Sequence, residues 1–268
     1  VRVLSWNLWW RFGPWAQRQP AIAAALAAEG PDLVCLQEVW GERDGADQAH
    51  TLGAALGLHV ARSDGPWWED LAFGNAVLSR WPIREVDTIR LPRPDGAPGH
   101  RSAVAAVIDH PAGPLVAVST HLDHRFDASG ARLAQVAALC RFVEGLRARV
   151  DPVWPVVVGG DLNAVPDSDE VRVLTGRSSP PVAGLVFTDA WEVAGDGPGW
   201  TWRDDNPYLG EAAWPRRRLD YVLVSWPRTK PIGQPRRAWL GGLDALDGVH
   251  PSDHAAVVVD LHDPPTGT

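Results

Sequence analysis

A chain of 268 residues, 45% hydrophobic and 22% charged, has the composition of an ordinary globular protein with a sizeable core, so disorder is not its default state. Its formal charge of −8 and pI near 5.5 argue against a dedicated binder of long nucleic acid, although bound cations would reverse that potential locally. Its two cysteines, Cys35 and Cys140, lie on apolar periodic segments and read as buried thiols rather than a disulfide framework or a zinc site.

Val1 to Trp6 reads as a strand that delivers Asn7 at its end, followed by the tryptophan-rich loop WNLWWRFGPW. PAIAAALAAEG reads as a helix entered at Pro20 and stopped at Gly30. Leu33 to Gln37 is the next strand and delivers Glu38; DQAHTLGAALG is a shorter helix. Strands over Asn75–Ser79, Ala103–Ile108 and Leu115–Thr120 follow, the last delivering His121 with Asp123 two residues on. SGARLAQVAALCRFVEGLRARV is the longest helix, with Ser129 as its N-cap and an apolar stripe of Leu133, Val136, Ala137, Leu139, Cys140 and Val143.

The β-branched strand Val153–Val158 runs into Gly159 and Gly160, which permit close approach of backbone or ligand, and then offers Asp161 and Asn163. In extended chain, residues two apart point the same way, so these two share one side. A long loop around GWTWRDDNPYLGEAAWPRRR leads to Asp220, just before a strand over Tyr221–Ser225. Asp253 and His254 stand before the last strand, Ala255–Leu261. Helices are scarce between the later strands, which predicts antiparallel or mixed sheets covered by helices rather than a doubly wound parallel sheet. The first strand lacks the Gly-rich turn of a dinucleotide fold. No linker or repeat divides the chain, so residues 1–268 are expected to form a single domain and a monomer.

No apolar run reaches the roughly 18 residues of a membrane-spanning helix, and the beginning does not read as a signal peptide. The chain holds no methionine, so Val1 is not a natural start; a removed leader, and hence a cytoplasmic or secreted location, stays open.

Taken singly, each polar residue at a strand end reads as a turn or surface residue. Together they are carboxylate, carboxamide and imidazole groups from distant strands, a set of hard ligands that suits Mg²⁺ or Mn²⁺ and suits structural zinc poorly. Such a cation polarises a phosphoryl oxygen, while histidine and amide donors stabilise the charge of the transition state.

The ordered set SWN, LQEVW, STHL, GGDLNAVPDSDEV, RRLDYVLV and SDHAAV, spanning about Val3 to Leu261, resembles the endonuclease/exonuclease/phosphatase superfamily of metal-dependent phosphoesterases. The resemblance implies an α+β fold of the deoxyribonuclease I kind: a four-layer α/β/β/α sandwich of two packed mixed β-sheets flanked by helices. It further implies Glu38 as principal metal ligand with Asn7 beside it and Asp253 as a further ligand, the ion being Mg²⁺ with Mn²⁺ or Ca²⁺ as substitutes. Asp161 would orient or deprotonate the attacking water, and Asn163 would hold the phosphate or nucleophile. His254 would meet a phosphoryl oxygen or assist protonation, with Asp220 fixing its tautomer, and His121 would supply a transition-state donor. The nuclease-like members' acidic residue after the first-strand Asn is replaced by Leu8, Trp9 and Trp10, which turns the expectation away from DNA repair.

For substrate contacts the candidates are Arg125 and Arg132 in THLDHRFDASGARLAQ, and Trp202 and Arg218 in the long loop, each equally readable as a surface or packing residue. Trp9, Trp10, Trp15, Trp200 and Tyr208 are candidates for an aromatic wall that stacks a ring, packs a sugar or touches a lipid surface. The expected activity is metal-assisted, in-line hydrolysis of a small or lipid-derived phosphodiester. A nuclease acting on DNA or RNA and a catalytically silent binding module on the same scaffold are the alternatives.

Overall fold

The chain builds most of one sheet, then a whole second sheet, and returns to finish the first. The computed structural model describes residues 1–63, 65, 67–93, 97–210, 215–226 and 228–264. Strands β1 (Arg2–Asn7), β2 (Leu33–Glu42), β3 (His59–Arg62), β4 (Trp67–Trp68) and β5 (Leu71–Ser79) open the first sheet. The second contains β6 (Ile83–Pro92), β7 (Pro98–Ile108), β8 (Leu115–His121), β9 (Val157–Asp161), β10 (Val186–Asp189) and β11 (Asp220–Trp226). Strands β12 (Pro235–Gly241) and β13 (Ala256–Leu261) return to the first.

The orders are β12-β13-β1-β2-β5-β3, with β4 on β5, and β10-β11-β9-β8-β7-β6. Pairs β1–β2 and β8–β9 are parallel and the other pairs antiparallel, so both sheets are mixed. Helices α1 (Trp15–Glu29) and α2 (Gln48–Leu56) accompany the first sheet, α3 (Ser129–Val150) and α4 (Asp169–Leu174) the second, and the short α5 (Ala190–Ala194) follows β10.

Strand periodicity divides the apolar residues between three cores. Val3, Cys35, Val77 and Val257 of the first sheet meet Val104, Ala106, Val157 and Val222 of the second. Their neighbours Leu4, Trp6, Leu36 and Val258 face outward onto Ile22, Leu26 and Leu52 of the first helical layer. On the far side Ala105, Val118, Val158 and Leu223 receive Val136, Leu139, Cys140 and Val143 of α3. Each fully buried aliphatic side chain contributes about 1.5–3 kcal/mol, so the four-layer sandwich holds its shape without help from the site. Gly159 lies where the sheets come close together. A Cβ there would lie 2.4 Å from Cys35 Cβ and 3.1 Å from Ser5 Cβ, so its glycine serves the approach of the opposing sheet rather than that of a ligand.

Several boundaries differ from the sequence reading. Helix α1 begins at Trp15 and carries Pro20 inside it; the carbonyl that Pro20 cannot bond belongs to Ala16, which is exposed to water. Helix α3 is capped by Ala128, with no side-chain cap from Ser129, and its buried stripe includes Arg132 and Gln135 in place of Leu133 and Ala137. The strand expected from Val153 starts only at Val157, after Pro152 and Pro155 have removed two backbone donors. Strands β3, β4, β6, β10 and β12 have no counterpart among the expected elements. Residues 211–214 of the expected long loop lie outside the described residues. No helix among the described residues is long and apolar enough to cross a membrane.

Candidate active site

Strand register brings the polar residues to one end of the sandwich. Parallel pairing sets Asn7 level with Gln37 and His121 level with Asp161, and antiparallel pairing sets Asp220 opposite Asp161. Strand β2 slips register between Leu36 and Val39, and Glu38 adopts a left-handed φ of 53° there. A bulge of this kind re-aims a side chain, and a non-glycine residue holds such a backbone only when its surroundings fix it, at a cost of about 1–3 kcal/mol. Ser252 ties the last loop onto β1. Its Oγ donates to the Asn7 carbonyl at 2.7 Å and accepts the His254 amide N–H at 3.2 Å.

Asp161 is the hub. Its Oδ2 accepts the Asn7 Nδ2–H at 3.0 Å and lies 3.3 Å from His121 Nε2 and 3.9 Å from His254 Nε2. Its Oδ1 accepts the Asn163 amide N–H at 2.9 Å, closing a turn in which Asn163 takes a φ of 47°. Asp161 and Asn163 therefore meet through that turn and not through extended alternation. The Asn163 carboxamide nitrogen stands 3.0 Å from His121 Nε2. Burial, then the charge of Asp220, pushes the Asp161 carboxyl up to about 6.

Two further carboxylates face the same space. Burial raises Glu38 above the usual carboxylate range, and burial, reinforced by Glu38, pushes Asp253 up to about 7. Glu38 Oε2 is buried and has no hydrogen-bond partner among the described residues. A buried anionic oxygen without a donor, beside carboxylates that resist ionisation together, is the environment a cation relieves. Oxygen donors from Glu38, Asp253 and the Asn7 carboxamide fit a hard divalent ion. Asp161, Asp220 and His254 also offer ligand atoms within 4.8 Å of one another. Within that trio, however, His254 Nδ1 already binds Asp220 Oδ2 at 2.7 Å.

The two histidines are driven apart in charge. Although burial acts against it, His254 is raised well above the ordinary imidazole value by Asp220, Asp253 and Asp161, which favours its imidazolium form. His121 is lowered well below that value by burial and by the charge of Arg101. Arg101, on β7, donates from Nη1 to His121 Nδ1 at 2.8 Å and from Nη2 to His124 Nδ1 at 3.1 Å. Sequence reading passed over Arg101. The only signal was an arginine at the start of the apolar run SAVAAVI, between two turn-rich segments.

The sequence model of the Endonuclease/Exonuclease/phosphatase family matches residues 4–254. The chain belongs to that family. Its members are phosphoesterases, and the chain is an enzyme of that class. It is 27% identical to the uncharacterized protein YbhP of Escherichia coli (strain K12), over 97% of the chain and 96% of that protein. It is 28% identical to the inositol phosphosphingolipids phospholipase C of Schizosaccharomyces pombe (strain 972 / ATCC 24843), over 96% of the chain and 67% of that protein. An endonuclease/exonuclease/phosphatase structure from Bacteroides vulgatus superposes with a TM-score of 0.75 at 21% identity, covering 98% of this chain and 99% of that one, and has the same fold.

At this end of the sandwich the chain carries an aromatic wall. Phe73, beside His121, meets Trp10; Trp10 meets Phe12, Phe12 meets Trp9, and Trp9 stacks on Tyr208 at 4.7 Å. Trp9 and Trp10 have φ of 57° and 36°, and the loop is held from beneath by buried Arg18, which donates to the carbonyls of Leu8, Trp9, Trp10, Phe12 and Pro251. Trp15 packs away from this wall, edge-on to Trp40. Trp202 lies edge-on to the His254 ring at 4.9 Å, and Trp200 lies under Arg216.

The expected arginine contacts fare differently. Arg132 is buried in an ion pair with Glu170 at 2.8 Å, and Arg218 in one with Asp189 at 2.7 Å. Arg132 also donates to the carbonyls of Asp123 and Arg125, whereas Arg218 Nε is buried without a partner among the described residues; neither residue joins the cluster. Their burial was hidden because a buried arginine and a surface arginine look alike in sequence. Arg125 is exposed and pairs with Asp123 two residues away.

Proposed function

We propose that the chain hydrolyses a small or lipid-derived phosphodiester with the help of a divalent cation, Mg²⁺ in the first instance, with Mn²⁺ or Ca²⁺ as substitutes. The observation that carries this reading is Asp161 Oδ2, on which the side chains of Asn7, His121 and His254 converge from three separate segments, beside the unpartnered Glu38 oxygen. Glu38, Asp253 and Asn7 would hold the ion, which when bound supplies positive charge beside a phosphoryl oxygen. With its carboxyl near 6, Asp161 is ionised at neutral pH and basic enough to accept a proton from attacking water. The oxygen of that water forms the new bond to phosphorus as the opposite ester bond breaks, and the departing alkoxide takes a proton from solvent to leave as the alcohol. The His254 imidazolium, steadied at Nδ1 by Asp220, meets the gathering negative charge on a phosphoryl oxygen.

Three features support the substrate class: the relative named for a phosphosphingolipid phospholipase C, the chain's net charge of −8, and the aromatic wall beside Asn7. The test is a panel of phosphomonoesters, lipid and small-molecule phosphodiesters, and single- and double-stranded DNA and RNA. Each is assayed with Mg²⁺, Mn²⁺ or Ca²⁺ beside a chelator control. Chelator-sensitive turnover highest on the small or lipid phosphodiesters is expected. Higher turnover on nucleic acid makes the chain a nuclease, and no turnover with no metal binding makes it a silent binding module.

A further inference from the structure

Arg101 has no part in the chemistry above, yet its fork meets the site. Nη1 and Nη2 each donate to the Nδ1 of an imidazole, His121 at 2.8 Å and His124 at 3.1 Å. A guanidinium offers five N–H groups, no acceptor, and keeps its charge. Each Nδ1 that it touches must therefore present a lone pair. His121 is buried, and an imidazole that keeps a lone pair on Nδ1 carries its one hydrogen on Nε2. The Phe73 ring, 5.7 Å from the guanidinium and 6.1 Å from the imidazole, packs against both.

A second consequence follows at Asn163. Its carboxamide nitrogen faces His121 Nε2 at 3.0 Å, and two N–H donors cannot share a hydrogen bond. Exchanging the two ends of the carboxamide lets Oδ1 share the Nε2–H with Asp161 Oδ2, and sets Oδ1 where Nδ2 had met the Leu122 carbonyl at 3.3 Å.

We infer that Arg101 is a positioning residue: it fixes His121 as an Nε2–H donor aimed at Asp161 Oδ2, and through His121 it sets which end of the Asn163 carboxamide faces the site. Without Arg101 nothing holds Nδ1 as a lone pair: Glu38 Oε1, 3.9 Å from Nδ1, then competes for the hydrogen with Asp161 Oδ2, 3.3 Å from Nε2. What the oriented donors act on rests on the phosphodiesterase reading; the tautomer itself does not.

The test is ¹⁵N imidazole NMR of the full chain, with the His121 signals assigned by their loss in His121→Gln. The wild type should show a protonated Nε2 and a lone-pair Nδ1. Arg101→Met should add an Nδ1–H form beside the Nε2–H form and lower kcat about 10–100-fold while KM changes far less. Arg101→Lys, whose ammonium is also a pure donor, should restore the Nε2–H form and much of kcat. A wild-type hydrogen on Nδ1 overturns the inference, and so does an unchanged tautomer in Arg101→Met. Should Arg101→Met not fold, the wild-type and Arg101→Lys spectra decide alone. If the tautomers behave as expected but no phosphodiester is turned over, the proposed function fails and the role of Arg101 stands.

Discussion

Replacing Asp253 by Asn should stabilise the metal-free protein at alkaline pH. Asp253 is 5% exposed, and its carboxyl is pushed up to about 7 from the ordinary 3.8, by burial first and by Glu38 and Asp220 besides. Its folded value lies above that of the unfolded chain, so folding favours the protonated form. The resulting stability is full below about pH 4 and is lost as pH rises through about 7. About three pH units at 1.36 kcal/mol each put the loss at roughly 4 kcal/mol by pH 8. An amide in its place needs no ionisation and keeps the shape of the carboxyl. In chelator at pH 8, Asp253→Asn should therefore gain about 2–4 kcal/mol, or roughly 5–10 °C in melting temperature for a chain of this size. At pH 4 the two proteins should melt alike, and adding Mg²⁺ at pH 8 should raise the wild type and leave the variant nearly unchanged. Denaturant and thermal unfolding at the two pH values, with and without chelator, make the measurement. A variant that is equal to or weaker than the wild type at pH 8 without metal would refute the idea that an ionised Asp253, buried beside other carboxylates, costs stability for want of a cation.

Glu38→Gln should weaken Mg²⁺ or Mn²⁺ binding at least about 100-fold by calorimetry and abolish turnover, without loss of metal-free stability, because the oxygen it alters has no partner to lose. Retained affinity would remove Glu38 from the ligand set. Asp220→Asn should cut kcat by about 10²–10⁴-fold with little change in KM, since the amide keeps the shape of the pair but not the charge that holds the His254 imidazolium. An unaltered kcat would leave Asp220 a purely structural residue. Arg132→Met should cost about 3–5 kcal/mol by denaturant unfolding, by stranding buried Glu170, and should leave kcat and KM unchanged at temperatures where the variant is folded. A raised KM at unchanged stability would return Arg132 to the list of substrate contacts.

The inner strands were legible because they are buried on both faces and so read as apolar runs: Val34, Val77, Val118, Val158 and Val258 all lie in such stretches. The strands that sequence reading missed are exposed or short. Strand β6 alternates half-buried and exposed residues over most of its length, with Arg84, Glu85, Asp87 and Arg90 between its apolar side chains. Strand β12, PRRAWLG, carries two arginines and a proline. Pairing with a neighbour, not hydrophobic period, makes them strands, and pairing is not written in a local window. The same limit moved the buried face of α3. Arg132 and Gln135 are inside it because Glu170 and the carbonyls around them supply partners from elsewhere in the chain.

The site was legible for a different reason. Asn7, Glu38, His121, Asp161, Asp220 and His254 each sit where an apolar strand starts or stops, and a polar residue in that position is conspicuous against the run beside it. Sequence could mark these residues but not their relations. The 53° φ at Glu38, the turn that brings Asn163 back to Asp161, and the charge difference between His121 and His254 all arise from contacts across the chain. Arg101 and Arg18 belong wholly to that second kind of information. One stands between His100 and Ser102 and the other between Gln17 and Gln19, so neither breaks a pattern. A cation that acts on lone pairs, of two imidazoles in one case and of five carbonyls in the other, is defined by the acceptors gathered round it. Those acceptors come from strands and loops the arginine does not neighbour in sequence. Residues that carry a reaction tend to announce themselves by type, whereas residues that orient them are found only when the fold supplies their partners.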